Sequence, residues 1–366
     1  MHTHTLPNDF NLCGYDYALP QELIAMHPTH PRRDGRLLVY HRDSAHIEHR
    51  HFRDFCDVVP RDYTLVCNDT KVLKARLYAH KVSNEARDEN LREILFHTTH
   101  MRGESSETSS TKFVVQIRGR VKQGAVFRIH DTAKRPTRFC MRVLELLDNG
   151  MRVVEFESAD SSAPLEIGAV YAMLESCGHT PLPPYIKRED TLADSLDYQS
   201  VFASNAGAVA APTASLHFSK EDFARIRALY EVCFVTLHVG AGTFANVQSQ
   251  DIRTHNMHSE SYALTPQARD VITGDAKLLC IGTTAARVVE YFWRVRESQG
   301  LCDLFLHPGN VPQRMDALLT NFHFPKSTLL MLVSAFVGRE EVMRIYECAI
   351  AHKYRFFSYG DGMLIL

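Results

Sequence analysis

No CxxC pair occurs among the nine cysteines of this 366-residue sequence. Neither a zinc-ribbon spacing nor a disulfide framework is written into it, and an odd set of scattered thiols fits a reducing compartment. Long apolar runs are missing too. The longest, Leu329–Val337, is interrupted by Ser334 and is too short to span a bilayer. The opening MHTHTLPNDF has no basic n-region and no apolar h-region, which speaks against a secretory signal. Surplus positive charge is also absent: 41 Lys and Arg stand against 43 Asp and Glu, for a net charge of -2. Proteins that grip nucleic acid through their overall field are usually basic, so any RNA contact must come from a local patch. The length allows two domains, and 45% hydrophobic with 23% charged residues is ordinary globular composition. A cytoplasmic protein outside the membrane is the expectation.

RLLVY (Arg36–Tyr40) and YTLVC (Tyr63–Cys67) are short apolar runs that each follow a turn signal, and ARLYAHK reads as a further strand. REILFH, KFVVQIRG, AVFRIH, RFCMRVLEL and MRVVEFE come next at close spacing, around a Ser/Thr-rich tract, Glu104–Thr111, expected to be a mobile loop. This pattern predicts a small all-β insert over 76–163. The second half alternates instead. Ser219 with Asp222 has capping-box spacing, Thr265-Pro266 opens another helix, and helical runs follow from Thr284, Ser327 and Glu340. VCFVTLHV, LLCIG, DLFLH and the final residues read as strands. Residues 1–75 and 164–366 are therefore expected to form one discontinuous α/β domain.

Polar residues gather where predicted strands end and helices begin, the place where α/β sheets bind ligands. LHVGAGTF carries a strand into Gly240, Gly242, Thr243 and Phe244, although Gly-x-Gly alone is also an ordinary turn. GTTAAR repeats the arrangement with Gly282, Thr283, Thr284 and Arg287, where a Thr N-cap is the plain alternative. In TNFHFPKSTL an N-cap accounts for Ser327 but not for Asn321, His323 or Lys326, so a pocket segment is expected. APTASLHF holds Thr213 and His217, and HNMHSE holds His255, His258 and Glu260. The latter looks like a metal set, yet no HExxH spacing occurs and 20 histidines make chance juxtapositions common, so no metal is expected. Asp69, Asp361, Glu260, His217, His258 and His323 are candidate proton carriers, while Arg76, Lys187, Arg188, Arg287 and Lys326 suit carboxylate or phosphate. The sequence assigns no roles among them. A metal-dependent hydrolase of a nucleotide-like substrate and a non-catalytic RNA-binding module are the competing classes.

Taken together, YDYALPQELIAMHP, LVCNDTKVLKARL, GHTPLPPYIKRED, GAVAAPTASLHF, FVTLHVGAGTF, GTTAARVVE, LLTNFHFPKSTLLMLVSAF and YRFFSYGDGMLIL resemble the S-adenosylmethionine:tRNA ribosyltransferase-isomerase family of queuosine biosynthesis. The resemblance runs nearly the whole chain in the family's order. It implies a three-layer α/β domain with an inserted small β-barrel. S-adenosylmethionine would be a consumed ribosyl donor, with no metal. The acceptor would be 7-aminomethyl-7-deazaguanine at the tRNA wobble position, and the products epoxyqueuosine-tRNA, adenine and methionine. Carried onto this sequence, the expected catalytic set is Asp69, His217, His258, Glu260, His323, Lys326 and Asp361. Thr213, Gly240, Gly242, Thr243, Phe244, Gly282, Thr283, Thr284, Arg287, Asn321 and Ser327 are the expected S-adenosylmethionine contacts, and Arg76, Lys187 and Arg188 the tRNA contacts. Ser215 departs from the family's usual Gly, Ala285-Ala286 from its usual Ser-Val, and the basic run IRGRVKQG is short. About ten N-terminal residues are expected to be disordered.

Overall fold

Apolar, β-branched runs bounded by turn residues become strands in the computed structural model, which describes residues 8–82, 90–99, 111–148, 150–240, 242 and 247–366. The strands are β1 (Arg36–His41), β2 (His46–His51), β3 (Tyr63–Asn68), β4 (Thr70–Val72), β5 (Arg76–Lys81), β6 (Arg92–Thr99), β7 (Lys112–Ile117), β8 (Val126–His130) and β9 (Pro136–Leu146). They continue as β10 (Arg152–Ser158), β11 (Ser161–Pro164), β12 (Asn205–Ala208), β13 (Val232–Leu237), β14 (Glu260–Leu264), β15 (Lys277–Ile281), β16 (Gln299–Cys302), β17 (Ala317–Asn321) and β18 (Gly362–Ile365). The helices are α1 (Phe55–Val58), α2 (Ile167–Cys177), α3 (Asp194–Asp197), α4 (Lys220–Leu229), α5 (Pro266–Thr273), α6 (Thr283–Val295), α7 (Thr328–Val337) and α8 (Arg339–Ala351). The fold is mixed α/β.

Two units make up the chain: Met1–Lys71 with Gln199–Asn205 and Ala211–Leu366, and Val72–Tyr198 with Ala206–Ala210. The first holds a nine-stranded sheet in the order β16-β14-β13-β3-β15-β17-β18-β1-β2. β13, β3, β15 and β17 run parallel. Alternate residues of these strands, among them Leu65, Cys67, Leu279, Ile281 and Leu319, pack with Phe55, Phe218, Ile226 and Tyr230 on one face. The intervening Val66, Cys280 and Leu318 are buried as well. α6 lies on their side, where Asn68 at the end of β3 reaches Thr284. Burial on both faces is why these strands read as unbroken apolar runs.

The second unit holds a seven-stranded antiparallel sheet, β11-β10-β7-β6-β5-β8-β9, in which β9 pairs additionally with β10. Its buried residues fall at every second position: Leu77 and Ala79, Ile94 and Phe96, Phe113 and Val115, Phe127 and Ile129. This unit is longer than the 76–163 insert read from the sequence. Val170, Met173 and Leu174 of α2 are buried, and His179 exchanges both main-chain hydrogen bonds with Arg76, which ties the following segment to β5.

Other differences have local causes. DLFLH is not a strand; β16 ends at Cys302. The carbonyls of Cys302, Leu304 and Phe305 are taken by the side chains of Arg287 and Asn310 instead of by a neighbouring strand. Asn8–Phe10 forms a 3-10 turn where disorder is expected, held by Arg339 on the Asp9 carboxylate and Tyr15 on its carbonyl. Of Glu104–Thr111 only Thr111 is described. No described helix is long and apolar enough to cross a membrane.

Candidate active site

Because β13, β3, β15 and β17 are parallel, their carboxyl ends bring four of the singled-out segments to one edge. Asn68 pins that edge together. Its Oδ1 accepts the N–H groups of Leu237 and Thr70, and its Nδ2 donates to the Leu237 carbonyl and Thr284 Oγ1. Asn68 is absent from the expected site residues; the available signal is a fully buried-looking amide closing an apolar strand. The adjacent Asp69 carboxylate accepts from Thr236 Oγ1 at 2.7 Å, Asn205 Nδ2 at 2.9 Å and Ser204 Oγ at 3.3 Å, and stays partly exposed. Three donors fix its orientation at the strand end.

α6 starts at Gly282, which has φ +94° and no capping side chain. The Thr N-cap alternative is therefore not made. Thr284 Oγ1 is spent on Asn68. Arg287, one turn on, is buried and paired with buried Glu260, and it also donates to the carbonyls of Leu304 and Cys302. The other Glu260 oxygen accepts the Gly240 N–H at 2.8 Å. The pair thus ties the glycine turn to α6 and β16. His258 is exposed, and its ring lies against Gly242, where a Cβ would stand 2.7 Å from it. Thr243 and Phe244 lie outside the described residues.

The NFHFPKS segment is held just as firmly. His323 is buried: its Nε2 pairs with Thr320 Oγ1 at 2.8 Å, its N–H donates to Tyr346 Oη, and its carbonyl accepts from Tyr17 Oη. Burial pushes its pKa down to about 3, so the ring is neutral. Ser327 caps α7 through the Leu330 N–H. Lys326 Nζ pairs with Asp16 at 2.5 Å, while its backbone is left-handed at φ +57°. Phe357, stacked on Phe324 at 3.5 Å, is left-handed too, at φ +72°. Two strained non-glycine residues in neighbouring loops are the kind of outlier that gathers at functional sites. Asp361 accepts the main-chain N–H groups of Arg36 at 2.9 Å and Arg355 at 2.7 Å, and burial raises its pKa above the ordinary carboxyl range.

The 3-10 turn Thr213–His217 packs on β17. His217 stacks on Phe52 with ring centroids 3.8 Å apart and planes within 8°. Burial pushes its pKa down to about 3, opposed in part by neighbouring Asn321. Among the described residues, His217 Nε2, Ser215 Oγ and Asn321 Oδ1 are buried atoms without a well-formed hydrogen bond, although Asn321 stands near enough to His217 to favour its protonated form, and Asn321 Nδ2 donates to the Phe357 carbonyl. Leaving such groups unpaired costs about 1–3 kcal/mol each. His217 also lines a small cleft, open to solvent, with Thr29, Arg32, Ser358, Tyr359 and Gly360. A cleft this small and open suits one part of a larger substrate.

A family model described as queuosine biosynthesis protein matches residues 12–365. The chain belongs to this family. An S-adenosylmethionine:tRNA ribosyltransferase-isomerase from Helicobacter hepaticus is 52% identical over 361 residues, covering 98% of this chain and 97% of that protein. One from Campylobacter concisus is 47% identical over 360 residues, covering 98% and 100%. The crystal structure of S-adenosylmethionine tRNA ribosyltransferase from Thermotoga maritima aligns with TM-score 0.50 and 29% identity, over 96% of this chain and 100% of that one. Among the remaining expected residues, Arg76, Lys187 and Arg188 belong to the second unit. Arg188 forks onto the Asp194 carboxylate with two contacts of 2.7 Å, and Arg76 pairs with Glu93 at 3.0 Å. Lys187 is exposed.

Proposed function

We propose that the chain transfers and isomerises the ribosyl part of S-adenosylmethionine onto 7-aminomethyl-7-deazaguanine at the wobble position of tRNA. The observation that carries the proposal is family membership across residues 12–365. The buried polar atoms of Ser215, His217 and Asn321 that lack a well-formed hydrogen bond support it from the side of the site, since a substrate would complete them. Neutral His217, flat against Phe52, is suited to hydrogen-bond a ribose or purine edge and ill suited to store a proton. Glu260, Asp361 and Asp69 are each held on both oxygens, but Glu260 and Asp361 are buried, which leaves Asp69 as the oriented, partly exposed carboxylate for proton transfer. Lys187 takes the tRNA backbone role expected of PPYIKRED, because Arg188 is neutralised by Asp194. Helices on both faces of the nine-stranded sheet support a three-layer domain, and the β9–β10 pairing supports a closed small barrel in the second unit. The reaction is expected to run in the cytoplasm and without metal.

The test uses ribose-labelled S-adenosylmethionine and tRNA bearing the aminomethyl-deazaguanine base, after exhaustive chelation. Label should enter the tRNA with release of adenine and methionine together. Release of S-adenosylhomocysteine, or products without labelled RNA, would refute the reading. Within that assay Asp69→Asn should lower kcat/KM about a hundredfold, about 2.7 kcal/mol of barrier, with unfolding free energy within about 1 kcal/mol of wild type. An Asp69→Asn enzyme with full turnover would remove Asp69 from the chemistry.

A further inference from the structure

Among the described residues, one group of His, Cys, Asp or Glu side chains is spaced to share an ion: His49, Cys348 and His352, whose ligand atoms all lie within 4.8 Å of one another. We infer that this group is a binding site for a single borderline-soft divalent ion of the zinc class, apart from the ribosyl-transfer chemistry.

Cys348 sits in the last turn of α8, and His352 caps that helix at the i+4 position, so their side chains share one helix face. His49 comes from β2, across from them. Cys348 Sγ and His352 Nδ1 are 3.6 Å apart. Two ligands of one tetrahedral zinc, with bonds of about 2.3 Å to sulfur and about 2.0 Å to nitrogen, stand about 3.5 Å apart. The His49 and His352 ring centroids are 4.3 Å apart, close enough for both imidazoles to reach one ion after small rotations. His49 Nδ1 is engaged at 2.8 Å with Tyr354 Oη, which orients the ring and leaves Nε2 as its ligand atom. His352 Nδ1 meets the Cys348 carbonyl at 2.9 Å, a contact the ion would replace.

Electrostatics is the opposing consideration. Arg36 lies over the Tyr354 ring at 3.8 Å and donates to the His352 carbonyl, so a dication meets a fixed positive neighbour. The Cys348 thiolate formed on binding offsets it, as metal ligation displaces the thiol proton. A thiolate with two imidazoles selects zinc-like ions over magnesium or calcium, and the fourth position is left to water. None of the three residues lines the His217 cleft. The ion would instead clamp β2 to the end of α8.

The experiment uses the full chain, stripped by chelator and titrated with zinc against a chromophoric competitor, then with cobalt(II). One equivalent should bind, cobalt should show a thiolate charge-transfer band, and thermal unfolding should shift upward with metal. Cys348→Ser should abolish the band and weaken binding at least tenfold, and the triple variant H49Q/C348S/H352Q should lose the equivalent. Equal uptake by wild type and the triple variant would place the metal on other histidines and overturn the inference. So would a cobalt spectrum without thiolate character. These readouts do not depend on ribosyl transfer.

Discussion

Replacing Arg287 with Met should cost about 3–5 kcal/mol of unfolding free energy, an effect on the fold before any effect on substrate. The guanidinium and the Glu260 carboxylate are only 4% and 5% exposed, so the charge left behind cannot recover its hydration. Removing Arg287 also strips the Leu304 and Cys302 carbonyls of their donor. Glu260→Gln should cost a similar amount, because the single amide oxygen can accept from Gly240 or from Arg287 but not from both, and the buried guanidinium loses its counter-charge. Urea unfolding of the three proteins at neutral pH checks this. If Arg287→Met unfolds within about 1 kcal/mol of wild type but shows a raised KM for S-adenosylmethionine, Arg287 is a substrate anchor and the tether reading fails.

That distinction was beyond the reach of the sequence. Arg287 and Glu260 have the residue types of a binding site, and only the approach of β14 to α6 shows that they serve each other. Local chemistry was far more legible. Ser219 with Asp222, Thr265 with Pro266, and Ser327 all cap the helices they precede, because a cap needs only its next three residues. The parallel strands were legible because burial on both faces leaves unbroken apolar runs. DLFLH was misread because its apolar residues are buried while its carbonyls are claimed by side chains from elsewhere in the chain. The extent of the second unit was missed because α2 resembles any amphipathic helix until His179 is seen pairing with Arg76. At the site, APTASLHF marked His217, but nothing in it showed the Phe52 ring or the poorly satisfied Ser215 and Asn321 atoms.

Acidification should therefore destabilise the first unit steeply, and His217 with His323 should carry much of the effect. Both rings have folded pKa values pushed down to about 3 by burial, against an ordinary value of about 6.5 in the unfolded chain. Their neutral forms contribute stability that is complete above about pH 6.5. It is lost as pH falls toward about 3, because only the unfolded chain takes up the protons. Each contributes up to about 1.4 kcal/mol per pH unit in that window, so the two together amount to about 5 kcal/mol at pH 4.5. Asp361 acts with the opposite sign. Its raised pKa lets the folded state bind a proton more readily, which offsets part of the loss as pH falls. Urea unfolding between pH 7 and 4.5 reads the slope directly. His323→Gln should be less stable than wild type at pH 7, because the Thr320 contact is disturbed, yet flatter by about 1.4 kcal/mol per pH unit below pH 6. A His323→Gln slope equal to wild type would mean that the buried ring is not the proton-linked group, and that acid acts through surface carboxylates instead.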